Sequence, residues 1–394
     1  MERSTAEIRQ YFSSNLLEWF RIHKRDLPWR RTNDPYRIMV SEIMLQQTRV
    51  DTVIPYYHRF IERFPTVEAL AEAPEEDVLK AWEGLGYYSR ARNLQTAVRE
   101  VKERYGGRVP DKRDQIGSLK GVGPYTAGAV LSIAYNRPEP AVDGNVMRVF
   151  SRFFLILDDT SKPGTRTEME KLARELIPEG EAGSFNQALM ELGALICTPK
   201  SPNCLICPVM ENCAGRLNGM EEQLPVKKKA QPPRREQRVV ALIQGAGNRT
   251  GQILIRRRPD EGLLAGMWEL PHYAAADADG MVLLKEKLLE EERLPIEPLG
   301  KWFRTNHTFS HIRWELDVYV CNYLGNPQGL SDSMDLPGSA TGGGSDRDDL
   351  RWIEPQELER FVFPNVFIRI IREYAKRLPG IDWNGPIAER EEEF

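Results

Sequence analysis

Four cysteines fall within seventeen residues, Cys197, Cys204, Cys207 and Cys213, spaced C-x6-C-x2-C-x5-C. Thiolates at such spacing can converge on one metal centre. A zinc ribbon usually presents two similar C-x2-C knuckles, and here only Cys204 and Cys207 form one. A single C-x2-C flanked by longer arms suits a cuboidal iron–sulfur cluster with one thiolate per iron. Structural zinc and four unrelated core cysteines stay open as alternatives. The fifth cysteine, Cys321, sits in an alternating strand-like run and reads as a core residue.

Two carboxylic acids stand in contrasting contexts. Glu42 lies inside the apolar run 38–45. If it faces a core or a pocket, desolvation raises its proton affinity toward that of a general acid; an exposed place on an amphipathic helix is the plainer alternative. Asp143 follows two prolines and precedes an apolar helix expected over 146–157. At that helix start it can act as N-cap, where the dipole favours its anion. Between the two acids, residues 119–127 join two helical segments through Gly121 and Gly123. Glycines one residue apart permit a tight turn with outward N–H groups, and the following helix adds its dipole, so a phosphate oxygen would be welcome there. Taken alone, such a pair is simply a turn.

These groups need a scaffold. At 394 residues the chain has room for two or three domains, each with its own core. No apolar run reaches membrane-spanning length and the start lacks a signal-peptide core, which suggests a reducing cytosol and argues against disulfides. Net charge is −4, nearly balanced on either side of Leu224, so any case for DNA must rest on local groups. Residues 1–224 read as helical, with 3.6-residue apolar spacing over 36–64, 75–82, 91–104 and 185–196. In the last, Phe185, Leu189, Leu192 and Ile196 share a stripe, with Ser184 as candidate N-cap. The basic, proline-bearing stretch 225–238 reads as a linker of solvated charge. Strands are expected at 239–244, 252–257 and 313–322, and helices at 281–291 and near 354–361, an α+β domain over 239–375. The Gly/Ser-rich insertion 325–349 is expected to be disordered in part, and the C-terminal tail 376–394 ends in acidic residues expected to be solvated.

In chain order, the hairpin 119–127, the loop with Asp143 and the four cysteines resemble the helix–hairpin–helix DNA glycosylase superfamily that includes endonuclease III. Leu27-Pro28-Trp29-Arg30, the run Ser-Glu-Ile-Met-Leu-Gln-Gln-Thr at 41–48, Gly-Leu-Gly-Tyr-Tyr-Ser-Arg-Ala-Arg at 84–92 and Val-Asp-Gly-Asn at 142–145 more narrowly resemble its adenine DNA glycosylase (MutY) family. The resemblance implies a two-lobed all-α domain over 1–224, with a [4Fe–4S] cluster on the four cysteines and a target nucleotide flipped from the duplex. It also implies that Glu42 protonates adenine at N7 and then handles the water, while Asp143 stabilises the sugar cation or bonds to it transiently. Tyr125, Asn145 and Arg30 would complete the pocket. Gln47, Thr48, Leu85, Tyr87, Gly121 and Gly123 would meet DNA, with Gln47 and Tyr87 wedged into the base stack. Such cleavage needs one acid raised in pKa and one kept ionised, which the apolar-helix and helix-cap contexts supply. Where lyase-competent relatives carry a Schiff-base lysine this chain has Tyr125, so a monofunctional enzyme is expected. The alternatives are a bifunctional endonuclease III-like glycosylase/lyase for oxidised pyrimidines and a noncatalytic DNA-binding protein.

Residues 239–375 resemble the family's Nudix-like domain. The glutamate-rich metal helix of a nucleotide hydrolase is missing, because 289–293 reads Leu-Glu-Glu-Glu-Arg. Phe309, Ser310 and His311 resemble the family's Phe-Ser-His loop, with Ser310 the expected reader of 8-oxoguanine. The expected partner is double-stranded DNA holding 8-oxoguanine:adenine or G:A mispairs, met by a monomer in the nucleoid of a bacterial cytoplasm, without membrane. Lys120 departs from the proline usual in the family's hairpin, and Met39 from an aromatic common at its position.

Overall fold

The computed structural model describes residues 4–228, 231–275, 279–325 and 349–377, and the chain divides at residue 230 into two compact units. Among the described residues no helix is long and apolar enough to cross a membrane. The reading of 325–349 and of the acidic tail falls almost wholly outside the described residues.

The first unit is helical. Its opening helix, Thr5–His23, starts on a capping box in which Ser4 and Glu7 satisfy each other's backbone N–H groups. Its apolar face enters an aromatic core: Phe12 lies 4.5 Å from the ring of Phe153 and packs with Phe150, Phe185 and Leu189. Helix Ala182–Leu195 is the shared strut, packing against Thr5–His23, Pro124–Tyr135 and Gly144–Phe153. Gly193 allows this closeness, since a Cβ there would stand 2.6 Å from that of Asn145. Helix Pro35–Leu45 packs on Pro124–Tyr135.

Several expectations need correction. The periodic stretch 36–64 is two helices, Pro35–Leu45 and Val50–Arg63, broken where Gln47 takes φ +58°. Ser184 is not an N-cap; the helix begins at Ala182, and Asn136 from another segment accepts from the Gly183 N–H at 3.3 Å. A tertiary partner supplies the cap that local sequence was expected to supply. The helix after Asp143 is shorter than expected, Gly144–Phe153, with Leu155 at φ +53° beyond it. In the hairpin only Gly121 uses glycine's freedom, at φ +74°; Gly123 has an ordinary negative φ at the start of Pro124–Tyr135.

The second unit is one mixed sheet between two helices. Its strands are β1 (Arg234–Gln244), β2 (Ile253–Arg257), β3 (Trp268–Glu269), β4 (His272–Ala274), β5 (Ile296–Thr308), β6 (Ile312–Tyr323) and β7 (Leu350–Ile353). The order is β3-β2-β1-β6-β5, with β1 and β6 parallel and the other pairs antiparallel; β4 joins β1 and β7 joins β2. Alternation divides the core. Val240, Leu242, Trp314, Leu316 and Val318 face helix Asn365–Ala375, while Val239, Ala241, Ile243 and Cys321 face helix Gly280–Glu292. Strand β1 starts at Arg234, so the last five residues read as linker are strand. Its parallel ladder with β6 begins at Arg234 and Ile312, and Arg238 lies 4.6 Å over the Trp314 ring. The segment expected to be helical near 354–361 is a 3-10 turn, Pro355–Arg360. Glu269, 1% exposed, pairs with Arg256, Arg258 and His272, and Arg256 also binds Glu292 at 3.0 Å.

Candidate active site

Glu42 opens the last turn of Pro35–Leu45 on the face toward Pro124–Tyr135, and only 4% of it is exposed. The Tyr125 hydroxyl donates to its Oε2 at 2.7 Å and lies 3.1 Å from the Met190 sulfur. Desolvation raises the Glu42 carboxyl from 4.5 to about 7. The Tyr125 hydrogen bond opposes that shift, the Asp143 charge adds to it, and Arg30 opposes it. Burial also pushes the Tyr125 phenol well above its usual range, with the Glu42 and Asp143 charges adding to it. A carboxyl titrating near neutrality is suited to give a proton at pH 7 and take it back.

Asp143 caps Gly144–Phe153. Its Oδ1 accepts from the Val146 N–H at 2.8 Å and its Oδ2 from the Asn145 side-chain amide at 2.8 Å. The cap position is as expected, but its effect on charge is not. Burial outweighs these donors and Arg148, and the carboxyl is raised above 3.8 rather than held low. The Asn145 carbonyl accepts from Arg148 Nη2 at 2.9 Å, and Arg148 Nε donates to the backbone oxygen of Cys197 at 2.7 Å.

Both acids line a pocket of about 160 Å³, together with Tyr125, Asn145, Arg30 and Thr48. Six of the residues singled out in the sequence thus share one cavity. A seventh wall residue was missed. Glu191, 1% exposed, is gripped by Arg30 (Nη1 3.0 Å, Nη2 2.9 Å) and Arg25 (Nε 3.0 Å, Nη2 2.7 Å). Burial alone would raise its carboxyl, yet the two guanidiniums hold it down to about 2. Arg30 is therefore spent mainly on Glu191 and reaches Glu42 only through its charge. The signal for Glu191 was the one that marked Glu42, an acid inside an apolar helical run, here 188–195.

The residues expected at DNA occupy separate places. Gln47 and Tyr87 are exposed, both on positive-φ backbone, while Leu85 is buried at 6% and offers little side chain to a ligand. Gly121 and Gly123 are exposed, but the adjacent Lys120 N–H already donates to Glu100 at 3.3 Å. In the second unit Phe309, Ser310 and His311 form the β5–β6 turn. Phe309 is anchored against the rings of His307 (4.6 Å) and Trp314 (4.8 Å), leaving Ser310 and His311 exposed and 3.2 Å apart (Oγ to Nδ1).

The four cysteines lie beside Gly144–Phe153. Cys197 Sγ accepts from Arg152 Nη1 at 3.3 Å, and Cys197, Cys207 and Cys213 pack on the aromatic core. Burial raises the thiols of Cys204 and Cys213 and pushes Cys207 up to about 12, each with a further rise from its cysteine neighbours. Such a set becomes thiolate only against a strong Lewis acid. Among the described residues no three His, Cys, Asp or Glu side chains stand close enough for a single ion.

Residues 40–177 match the HhH-GPD superfamily of base excision DNA repair proteins, and residues 239–373 match the NUDIX domain. The chain is 34% identical to the adenine DNA glycosylase of Homo sapiens, across 96% of this chain and 76% of that one. It is 34% identical to the adenine DNA glycosylase of Schizosaccharomyces pombe, across 78% and 81%. Among solved structures it resembles a thermostable thymine-DNA glycosylase, with TM-score 0.51, 32% identity, 55% of this chain and 100% of that one.

Proposed function

Because the chain belongs to the adenine DNA glycosylases, hydrolases acting on N-glycosyl bonds, we propose that it releases adenine paired with 8-oxoguanine, or with guanine, from double-stranded DNA and leaves an abasic site. The observation that carries this reading is the buried pair Glu42 and Asp143 in one pocket, with Glu42 titrating near 7. In this reading the neutral Glu42 gives its proton to adenine N7, and the C1′–N9 electron pair leaves with the purine. The Asp143 anion stabilises the sugar cation or bonds to it transiently. Three groups favour that anion, the Val146 and Asn145 donors and the Arg148 charge, and the growing positive charge on the sugar favours it further. Water then adds to C1′, and its proton returns to the Glu42 carboxylate. Tyr125 orients that carboxyl through its hydrogen bond. A phenol cannot form the Schiff base that strand cleavage by a lyase requires.

Cys197, Cys204, Cys207 and Cys213 are proposed to hold a [4Fe–4S] cluster, which when bound would cross-link the 197–213 segment; Arg148 and Arg152, on the helix that Asp143 caps, already bond to that segment. Gln47 and Tyr87 are proposed to enter the base stack, and the exposed Ser310 to read the oxidised base, in a monomer acting on nucleoid DNA. The test is incubation with duplexes carrying adenine opposite 8-oxoguanine, G, C or T, followed by alkaline strand scission. Fast release opposite 8-oxoguanine and G is expected; equal rates on all four remove the specificity. High-yield borohydride trapping would favour the lyase alternative. Metal analysis should find about four irons per chain, and stoichiometric zinc would contradict the cluster.

A further inference from the structure

Arg90 is a buried cation, 8% exposed, and among the described residues its hydrogen bonds go to no carboxylate. Its Nη1 donates to the backbone oxygens of Ile43 (3.0 Å), Met44 (2.9 Å) and Gln46 (2.5 Å). Its Nη2 donates to Thr48 Oγ1 (3.2 Å) and to the backbone oxygens of Leu85 (3.2 Å) and Gly86 (3.1 Å). The guanidinium also lies 5.4 Å from the Trp82 ring and 5.5 Å from the exposed Tyr87 ring.

The choice of acceptors is informative. Gln47 and Tyr87 hold left-handed backbone, at φ +58° and +48°, a conformation that costs a non-glycine residue of order 1 kcal/mol or more. Arg90 binds the carbonyl immediately preceding each of them, Gln46 and Gly86. One side chain thus holds both strained turns. The Ile43 and Met44 oxygens belong to the last turn of Pro35–Leu45, where carbonyls lack helical partners and welcome a cation. Burying an unpaired charge is costly, and desolvation lowers Arg90 to about 10. Packing alone would be met more cheaply by an apolar residue.

We propose that Arg90 is a positioning residue that keeps the Gln47 and Tyr87 loops in register with each other and with the end of the Glu42 helix, so that both wedges are set before DNA arrives. This rests on the proposed entry of Gln47 and Tyr87 into the base stack. Preorganisation of this kind acts on opening the base pair and not on proton transfer. Lysine keeps the charge but cannot span both loops with a planar fork.

The test compares wild type with Arg90→Lys and Arg90→Met on two duplexes, one with adenine opposite 8-oxoguanine and one with adenine opposite an abasic site, where little pairing must be broken. Single-turnover release from the paired duplex should fall about tenfold or more, the worth of one charged hydrogen bond, with Lys intermediate between wild type and Met. Release from the unpaired duplex should change far less, and the pH midpoint near 7 should stay put. Amide hydrogen exchange should quicken at 45–48 and 84–88 in Arg90→Lys without a general loss of protection. Equal losses on both duplexes, a moved midpoint, or a lysine variant equal to wild type would overturn the assignment. Wild type that releases no adenine from either duplex would instead sink the proposed activity itself.

Discussion

Glu42→Gln should cost activity and restore stability, and both effects follow from one buried proton. Glutamine keeps an oxygen to accept from Tyr125, so the pocket geometry is preserved while the transferable proton is lost. General acid catalysis contributes about 10²- to 10⁴-fold, and single-turnover adenine release should fall by that factor with duplex affinity unchanged. The stability effect has a definite sign. The unfolded carboxyl ionises near 4.5, whereas the folded one keeps its proton to about 7. Wild-type stability therefore declines as pH rises between those values and stays reduced above 7. At about 1.4 kcal/mol per pH unit, that deficit reaches about 3 kcal/mol. Glutamine has no such deficit. At pH 8 the unfolding transition of the first unit should rise by roughly 6–12 °C in the variant, and at pH 4 the two proteins should coincide. A gain of equal size at both pH values would refute ionisation as its cause. Release within about tenfold of wild type would refute Glu42 as the general acid.

Asp143→Asn keeps a good helix cap but removes the negative charge, so adenine release should drop about 10²- to 10³-fold while thermal stability hardly moves. Glu191→Gln leaves Arg25 and Arg30 without their buried counter-charge and should destabilise the first unit by about 3 kcal/mol. Because the Glu191 carboxyl is held low, that wild-type advantage is present above about 4.5 and fades as pH falls toward 2, which acid titration of both proteins would check. Ser310→Ala should reduce the preference for 8-oxoguanine over guanine in competition assays and leave adenine release from G:A duplexes unaltered.

Acids inside apolar runs were legible in the sequence because burial of a carboxylate is exceptional wherever it occurs. That signal exposed Glu42, and it was equally present at Glu191, where no motif drew attention to it. Asp143 as N-cap was legible because capping is local chemistry, yet its proton affinity was not, since desolvation depends on what the rest of the unit packs over it. Non-local partners account for the other departures. Asn136 moved the start of Ala182–Leu195 ahead of Ser184. Pairing with β6 drew 234–238 into a strand despite its charges. Arg90, a single position in a helical run, bonds to two loops forty residues apart in sequence, at Gln46 and Gly86, which no periodicity reveals.

The most direct measurement is infrared titration of the Glu42 carboxyl, taken as the difference between wild type and Glu42→Gln with pH. A protonated carboxyl band assigned to Glu42 should persist to about pH 7 and vanish above it. Loss of that band by about pH 5, the range of an ordinary glutamate, would contradict the account.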